Sequence, residues 1–259
     1  MAPPGEENPV TEDLRRLQAE RDAALRRVQE LSAAQEEFLR AVSHDLRAPL
    51  RHVTSYATLL REVLQQQPDP PAQVREALGF AATMQRSARR MAAMLDGLQA
   101  ISRAGCAPLR LAVVDVDAIV RQERDALSGA QSVRWHVHGD LPPVRADAVL
   151  FAQAVRELLA NAVKFSHGRE APSCIEVSGA AAPGGRVRLG IADNGVGFAP
   201  EHARGLFGVF QRLHRDDEFE GVGAGLALCK LIAERHGATV TLSARPGVGC
   251  TVTLDWPAA

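Results

Sequence analysis

The chain has 259 residues, 46% of them hydrophobic, enough for one or two domains with substantial cores. A formal net charge of −1 and an aromatic content of 4% exclude a general pull toward nucleic acid or an anionic membrane and argue against base-stacking surfaces. No apolar run approaches the roughly 18 residues needed to span a bilayer, and Cys106, Cys174, Cys229 and Cys250 are widely spaced without a CxxC pair, as in a cytoplasmic protein with reduced thiols.

Residues 1–10 are polar and proline-rich and read as a disordered tail. From residue 11 onward Leu14, Leu17, Ala24, Val28, Leu31, Phe38 and Val42 fall on heptad a and d positions, with Arg21 and Gln35 as polar interruptions. That pattern predicts a short coiled coil through which an upstream sensor or partner could act. The apolar spacing continues through Leu46, Leu50, Val53, Ala57, Leu60 and Leu64 until "QQQPDPP" (65–71) ends the helix. A second helix follows, with apolar or small residues at 74, 77, 81, 84, 88, 91, 95 and 98. Two such helices cannot bury both stripes alone, so a hairpin that pairs with a second copy into a four-helix bundle is predicted.

Within the first helix lies "FLRAVSHDLRAPLRHV" (38–53). Arg40, His44, Arg47 and Arg51 share one face, opposite Leu46, Leu50 and Val53. His44 is therefore predicted on the outside, with Asp45 beside it. Pro49 removes the helical bond to the Asp45 carbonyl and crowds that turn. His52 lacks an acidic neighbour and reads as structural.

"SRAGCAPLR" (102–110) is a break, and the period changes after it. "VRWHVHG", "CIEVSG", "RVRLGIADNG", "ATVTLSA" and "TVTLDW" alternate as strands do. Helical stretches lie between them, at 115–127, 147–165 and 224–236. The fold class is α+β: an all-α helical hairpin for dimerisation (11–102), then an α/β sandwich domain (110–257).

In "RELLANAVKFS" (156–166), Glu157, Asn161 and Lys164 share one helix face. The Asn oxygen can ligate magnesium, the Lys can neutralise phosphate, and the Glu can orient water. An ordinary solvated helix face would look the same. "IADNGVGF" (191–198) reads as a strand ending in a turn. Asp193 there can accept a hydrogen bond from an amino group such as that of adenine, and Gly195 and Gly197 let the backbone approach a ligand. "GVGAGLAL" (221–228) carries Gly221, Gly223, Gly225 and Leu226 into a helix, an anion site of backbone amides. It is not a Walker loop, because no Lys-Ser/Thr follows. The segment between these motifs is charged and carries Phe207 and Phe210, as a mobile lid would, and Arg212 in it is a candidate γ-phosphate contact.

The order of these motifs is more specific than any one of them. An Asn-bearing helix, a DxGxG turn, a lid with two Phe and a GxGxGL loop resemble the ATP-binding domain of the gyrase and histidine-kinase superfamily. With "SHDLRAPL" upstream, the chain resembles sensor histidine kinases of two-component systems, and "FGVFQRLHRDDEFEGVGAGLALCKLIAERHG" resembles the phytochrome-like class. The resemblance spans about residues 35–257. It implies ATP with Mg2+, autophosphorylation on His44, and phosphotransfer to an aspartate on a response-regulator receiver domain. Asp45 can accept the ring's other N–H and take up positive charge as the N–P bond forms, and the neighbouring arginines can stabilise the arriving phosphoryl group. Asn161 would be the metal ligand. The sequence departs from the family pattern at Glu157, Val222 and Ala224. Other readings are a nucleotide-binding scaffold without kinase activity and a gyrase-type ATPase or serine kinase. The intact His44 and Asp45 oppose the first, and the "SHDLRAPL" hairpin opposes the second.

Overall fold

A computed structural model describes residues 9–65, 71–127, 133–167, 172–213 and 218–259. The tail predicted at 1–10 lies largely outside the described residues, since helix α1 begins at Pro9. α1 runs unbroken from Pro9 to Gln65, through Pro49. α2 runs from Ala72 to Cys106 and packs along α1. Of the predicted coiled-coil positions, Leu17, Val28 and Phe38 are exposed, while the side chains of Leu14, Ala24 and Leu31 lie outside the described residues.

Inside the hairpin the contact residues are small. Ser43, Ala57, Ala81 and Ala88 are buried. Gln85 is buried with them and fixes the register: its Oε1 accepts from Arg61 Nη1 at 2.8 Å and its Nε2 donates to Thr58 Oγ1 at 2.8 Å. A buried amide satisfied on both sides tolerates no slip, because a slip would strand it. Positions 84 and 91, predicted to share this seam, face outward instead: Met84 is 50% and Met91 47% exposed. Val53, Tyr56, Leu60, Val63 and Phe80 are exposed as well. The alanines bring the two helices close, and the larger apolar side chains are left on the outer face.

The second half is a two-layer α/β domain. A five-stranded sheet has the order β2-β4-β5-β7-β6, with β2 Val133–His138, β4 Ser173–Ala182, β5 Arg186–Asp193, β6 Thr239–Arg245 and β7 Gly249–Pro257. Only the β2–β4 pair is parallel. Helices α3 (Val116–Leu127), α4 (Ala148–Ser166) and α5 (Gly225–Arg235) cover one face. Alternate strand residues Ile175, Val177, Val187, Leu189, Ile191 and Leu254 form a core with Phe151, Leu158, Leu159 and Ile232 from the helices. Two three-residue strands, β1 Ala112–Val114 and β3 Val144–Ala146, pair separately. They are too short to show alternation in the sequence.

Two polar clusters fix the helices of this layer. Asp147 caps α4: its Oδ1 accepts from the amides of Val149 and Leu150 at 3.1 and 3.2 Å, and its Oδ2 accepts from the Arg110 amide at 3.0 Å. Burial pushes the Asp147 carboxyl up, but these amide bonds outweigh it and hold the group below its usual range. The Asp147 amide donates to His236 Nε2 at 3.0 Å, so His236 carries its proton on Nδ1, which donates to the Ile232 carbonyl at 2.7 Å. Between α3 and α4, the buried Glu123 accepts two bonds from Arg156, at 2.6 and 2.9 Å.

α2 does not stop at the predicted break. It continues to Cys106, and Ala104 in its last turn is part of the catalytic-domain core. Its end is capped from the other domain: the Arg235 guanidinium donates to the carbonyls of Ala104 and Ala107.

Arg156→Ala strands the buried Glu123 carboxylate and should destabilise the α/β domain by about 3 kcal/mol. The check is urea unfolding followed by Trp135 and Trp256 fluorescence, both reporters lying in this domain. A midpoint equal to that of the unaltered protein would contradict the assignment.

Candidate active site

A cavity of about 370 Å³ opens between α4, the end of β5, the segment leading into α5, and α2. Glu157, Asn161 and Lys164 line it from α4, spaced along one helix face. Asp193 and Gly197 line it from the end of β5, and Arg212, Gly221, Gly223, Gly225 and Leu226 from the lid and the glycine loop. Gly195 is not in the wall; its amide donates to Asp193 Oδ1 at 2.8 Å.

The strand ladder places Asp193 opposite Cys250, whose amide also donates to Asp193 Oδ1, at 3.3 Å. Burial nonetheless pushes the Asp193 carboxyl up to about 6, the two amides only partly offsetting it. Burial, and then the Asp193 charge, push the Cys250 thiol up to about 12. Asn194 stays out of the cavity and pins the turn to β4, accepting from the Cys174 amide at 2.9 Å and donating to the Pro172 carbonyl at 3.0 Å.

The glycine loop is shaped by close approaches. Gly223 has φ +78, in the left-handed region, and its carbonyl accepts from the Phe210 amide at 2.9 Å. Phe210 itself has φ +63, an uncommon value for a bulky residue and one that marks a constrained turn. A side chain on Gly225 would collide with the Glu157 carboxylate. Burial holds the Glu157 carboxyl above its usual range despite Lys164 and Arg156. Lys164 lies 4.3 Å from the centre of the Phe165 ring, and its ammonium is held below its usual value by burial and then by Arg212. The lid closes on this corner through Phe219, whose ring stands 5.0 Å from that of Phe165, and Arg212 Nη2 donates to the Phe219 carbonyl at 2.6 Å. The lid aromatics singled out in the sequence were Phe207 and Phe210; Phe219 was overlooked.

His44 and Asp45 lie away from this cavity, on α1. Their side chains are 85% and 81% exposed, and His44 Nδ1 is 3.2 Å from Asp45 Oδ1. Of the arginines on that stripe, Arg47 is already engaged: its Nη2 donates to Asp96 Oδ1 at 2.9 Å and Gln99 Oε1 at 3.0 Å across the hairpin. Arg40 pairs with Glu36 at 2.8 Å. His52, read as structural, is exposed.

Sequence reasoning missed the fourth wall. Ala93, Gly97 and Ala100 of α2 line the cavity. A Cβ on Gly97 would stand 2.6 Å from the Ala224 Cβ. The small residue at 224, a departure from the expected pattern, is thus matched by a glycine across the interface. The available signal was the spacing of small residues at 93, 97, 100 and 104.

Comparison with known proteins agrees with this two-part fold. Residues 34–106 match the family described as His Kinase A (phospho-acceptor) domain, and residues 146–259 match Histidine kinase-, DNA gyrase B-, and HSP90-like ATPase. The phytochrome-like protein Cph1 of Synechocystis is 32% identical over 93% of this chain and 31% of its own length. The sensor-like histidine kinase SenX3 of Mycolicibacterium smegmatis is 31% identical over 88% of this chain and 58% of its own. The chain therefore spans about a third of the phytochrome-like relative and little more than half of SenX3. Among solved structures, full-length ShkA in complex with AMPPNP superposes with a TM-score of 0.60 at 27% identity, over 86% of this chain and 46% of that one. With a phospho-acceptor hairpin followed by an ATPase-type domain, the chain belongs to the sensor histidine kinases.

Proposed function

We propose that this core autophosphorylates on His44 from magnesium-ATP and passes the phosphoryl group to an aspartate on a response-regulator receiver domain. The observation that carries the reading is the joint presence of an exposed His44–Asp45 pair and a buried, charged cavity on one chain. With the Nδ1 proton donated to Asp45, the lone pair on Nε2 is left facing solvent. Attack by Nε2 forms the N–P bond as the bond from phosphorus to the ADP oxygen breaks, and Asp45 takes up the positive charge gathering at Nδ1–H. The other residues position and neutralise the nucleotide. Asp193 accepts from the adenine amino group. Lys164, Arg212 and the amides leading into α5 meet the phosphates.

The cavity suits magnesium as nucleotide enzymes hold it. The Asn161 carboxamide, with Glu157 near it, supplies hard oxygens, and this ion needs only one or two protein ligands beside phosphate and water. Among the described residues no cluster of three His, Cys, Asp or Glu forms a cage of its own. When bound, the ion neutralises phosphate charge. Among the described residues no helix is long and apolar enough to cross a membrane, which accords with a cytoplasmic site of action. The outer face with Val53, Tyr56, Leu60, Val63, Phe80 and Met84 suits a second copy, as a homodimeric bundle requires. The N-terminal part of α1 remains the candidate route for an upstream sensor.

His44→Gln should abolish acid-labile label from γ-labelled ATP and leave nucleotide affinity within about twofold, because the histidine lies outside the cavity. Residual acid-labile label would refute His44 as the acceptor. Asn161→Ala should remove label by losing the metal ligand; normal labelling at subsaturating magnesium would refute that role. Asp193 predicts a pH dependence. The free carboxyl titrates at about 6, and the amino group prefers the carboxylate, so nucleotide affinity should be level above that pH and fall as pH drops through it. Titration calorimetry from pH 8 to pH 5 checks this. The fall should disappear in Asp193→Asn, and an unchanged profile in that variant would contradict the assignment.

A further inference from the structure

We propose that this chain has a second activity, the hydrolysis of ATP to ADP and inorganic phosphate without His44, with Glu157 as the general base for the attacking water. The inference rests on the nucleotide reading of the cavity and gives that cavity a second reaction. Glu157 lines the cavity from α4 and stands one helical turn before Asn161. Its carboxylate lies against the start of α5: a Cβ on Gly225 would stand 2.4 Å from Glu157 Oε2. Gly225 opens that helix, whose leading amides meet the phosphates in the reading above. The Glu157 carboxylate is thus at the phosphate end of the cavity, whereas Asp193 is at the adenine end. Glu157 is also one of the positions at which the sequence departs from the pattern of its family.

The walls supply no competing acceptor. Among the described residues that line the cavity none is Ser, Thr, Tyr or His, and the Cys250 thiol stands opposite Asp193, away from the phosphate end. The α2 wall of Ala93, Gly97 and Ala100 carries no nucleophile, and His44 is exposed outside the cavity. While the catalytic domain is packed on α2, water is the nucleophile that can reach the terminal phosphate. The ionisable groups that face Glu157 are Lys164 and Arg156 of α4 and the Cys229 thiol of α5, which burial keeps neutral. Burial outweighs the two cations and holds the Glu157 carboxyl above its usual range, toward the neutral pH at which a general base works best. Attack by water forms a new O–P bond as the bond from phosphorus to the ADP oxygen breaks, and that oxygen keeps the electron pair. Glu157 takes the proton from the water and returns it to solvent. Lys164 and Arg212, lining the same end, offset the charge on the transferring group.

The test uses the full chain and follows phosphate release from magnesium-ATP at saturating nucleotide, with AMPPNP binding measured by calorimetry on each variant. His44→Gln is expected to go on releasing phosphate while the protein takes up no acid-labile label. Adding Glu157→Gln should lower the turnover rate at saturation by about a hundredfold, and Glu157→Asp in the same background should recover part of the loss. In His44→Gln the rate should fall as pH drops through the raised titration of Glu157, and the residual rate of the Glu157→Gln double variant should be level over the same range. Phosphate release by His44→Gln no faster than from ATP alone, or a rate unchanged by Glu157→Gln, overturns the proposal, and AMPPNP binding by the same proteins leaves the nucleotide reading standing. Failure of the unaltered protein to bind AMPPNP sinks both.

Discussion

Helix α2 has to pack twice, and the architecture follows from that constraint. One of its faces meets α1 through Ala81, Gln85 and Ala88. Toward its C-terminal end another face meets the catalytic domain, where Gly97 leaves no room for a side chain beside Ala224 and Ala104 enters the core. Large residues on either face would separate the layers, since interiors are packed to near-crystalline density. Arg235 then satisfies carbonyls at the helix end that would otherwise be stranded between the domains. Through this helix, the hairpin that carries His44 also supplies a wall of the cavity.

The two halves of the site treat charge in opposite ways. Asp193, Glu157 and Lys164 are each disfavoured in their charged form by burial. A ligand offering an amino donor to Asp193 and phosphate anions to Lys164 compensates those two groups, so the cavity suits an occupied state better than an empty one. His44 and Asp45 sit in water instead. Under the function proposed above, an acceptor that receives a phosphoryl group and hands it to another protein needs that access, and the 3.2 Å contact with Asp45 favours one orientation of the ring.

Much of this was legible in the sequence, for physical reasons. Strands packed on one face alternate, so the five longer strands stood out, while the three-residue β1 and β3 carry no period. The glycine loop and the Asn helix were readable because close backbone approach and a shared helix face each leave a spacing. The hairpin seam was less well read. The heptad pattern gave Met84 and Met91 the same standing as Ala81 and Ala88, since periodicity cannot separate a face packed on α1 from one left for another copy. The stretch 102–110 read as a break, whereas α2 reaches Cys106, where the catalytic domain supplies its cap and its packing. Arg47 looked available for phosphate until the hairpin register brought Asp96 and Gln99 to it. Contacts between distant parts of the chain leave no local signature.

The central claim is that His44 receives the phosphoryl group from nucleotide held in this cavity. The most direct measurement incubates the full chain with magnesium-ATP, digests it with trypsin at neutral to mildly alkaline pH, and maps the phosphate by mass spectrometry. The account predicts one acid-labile phosphate on the peptide of residues 41–47, which contains His44 and no other histidine. Phosphate on His52, on a serine, or in acid-stable form would contradict it.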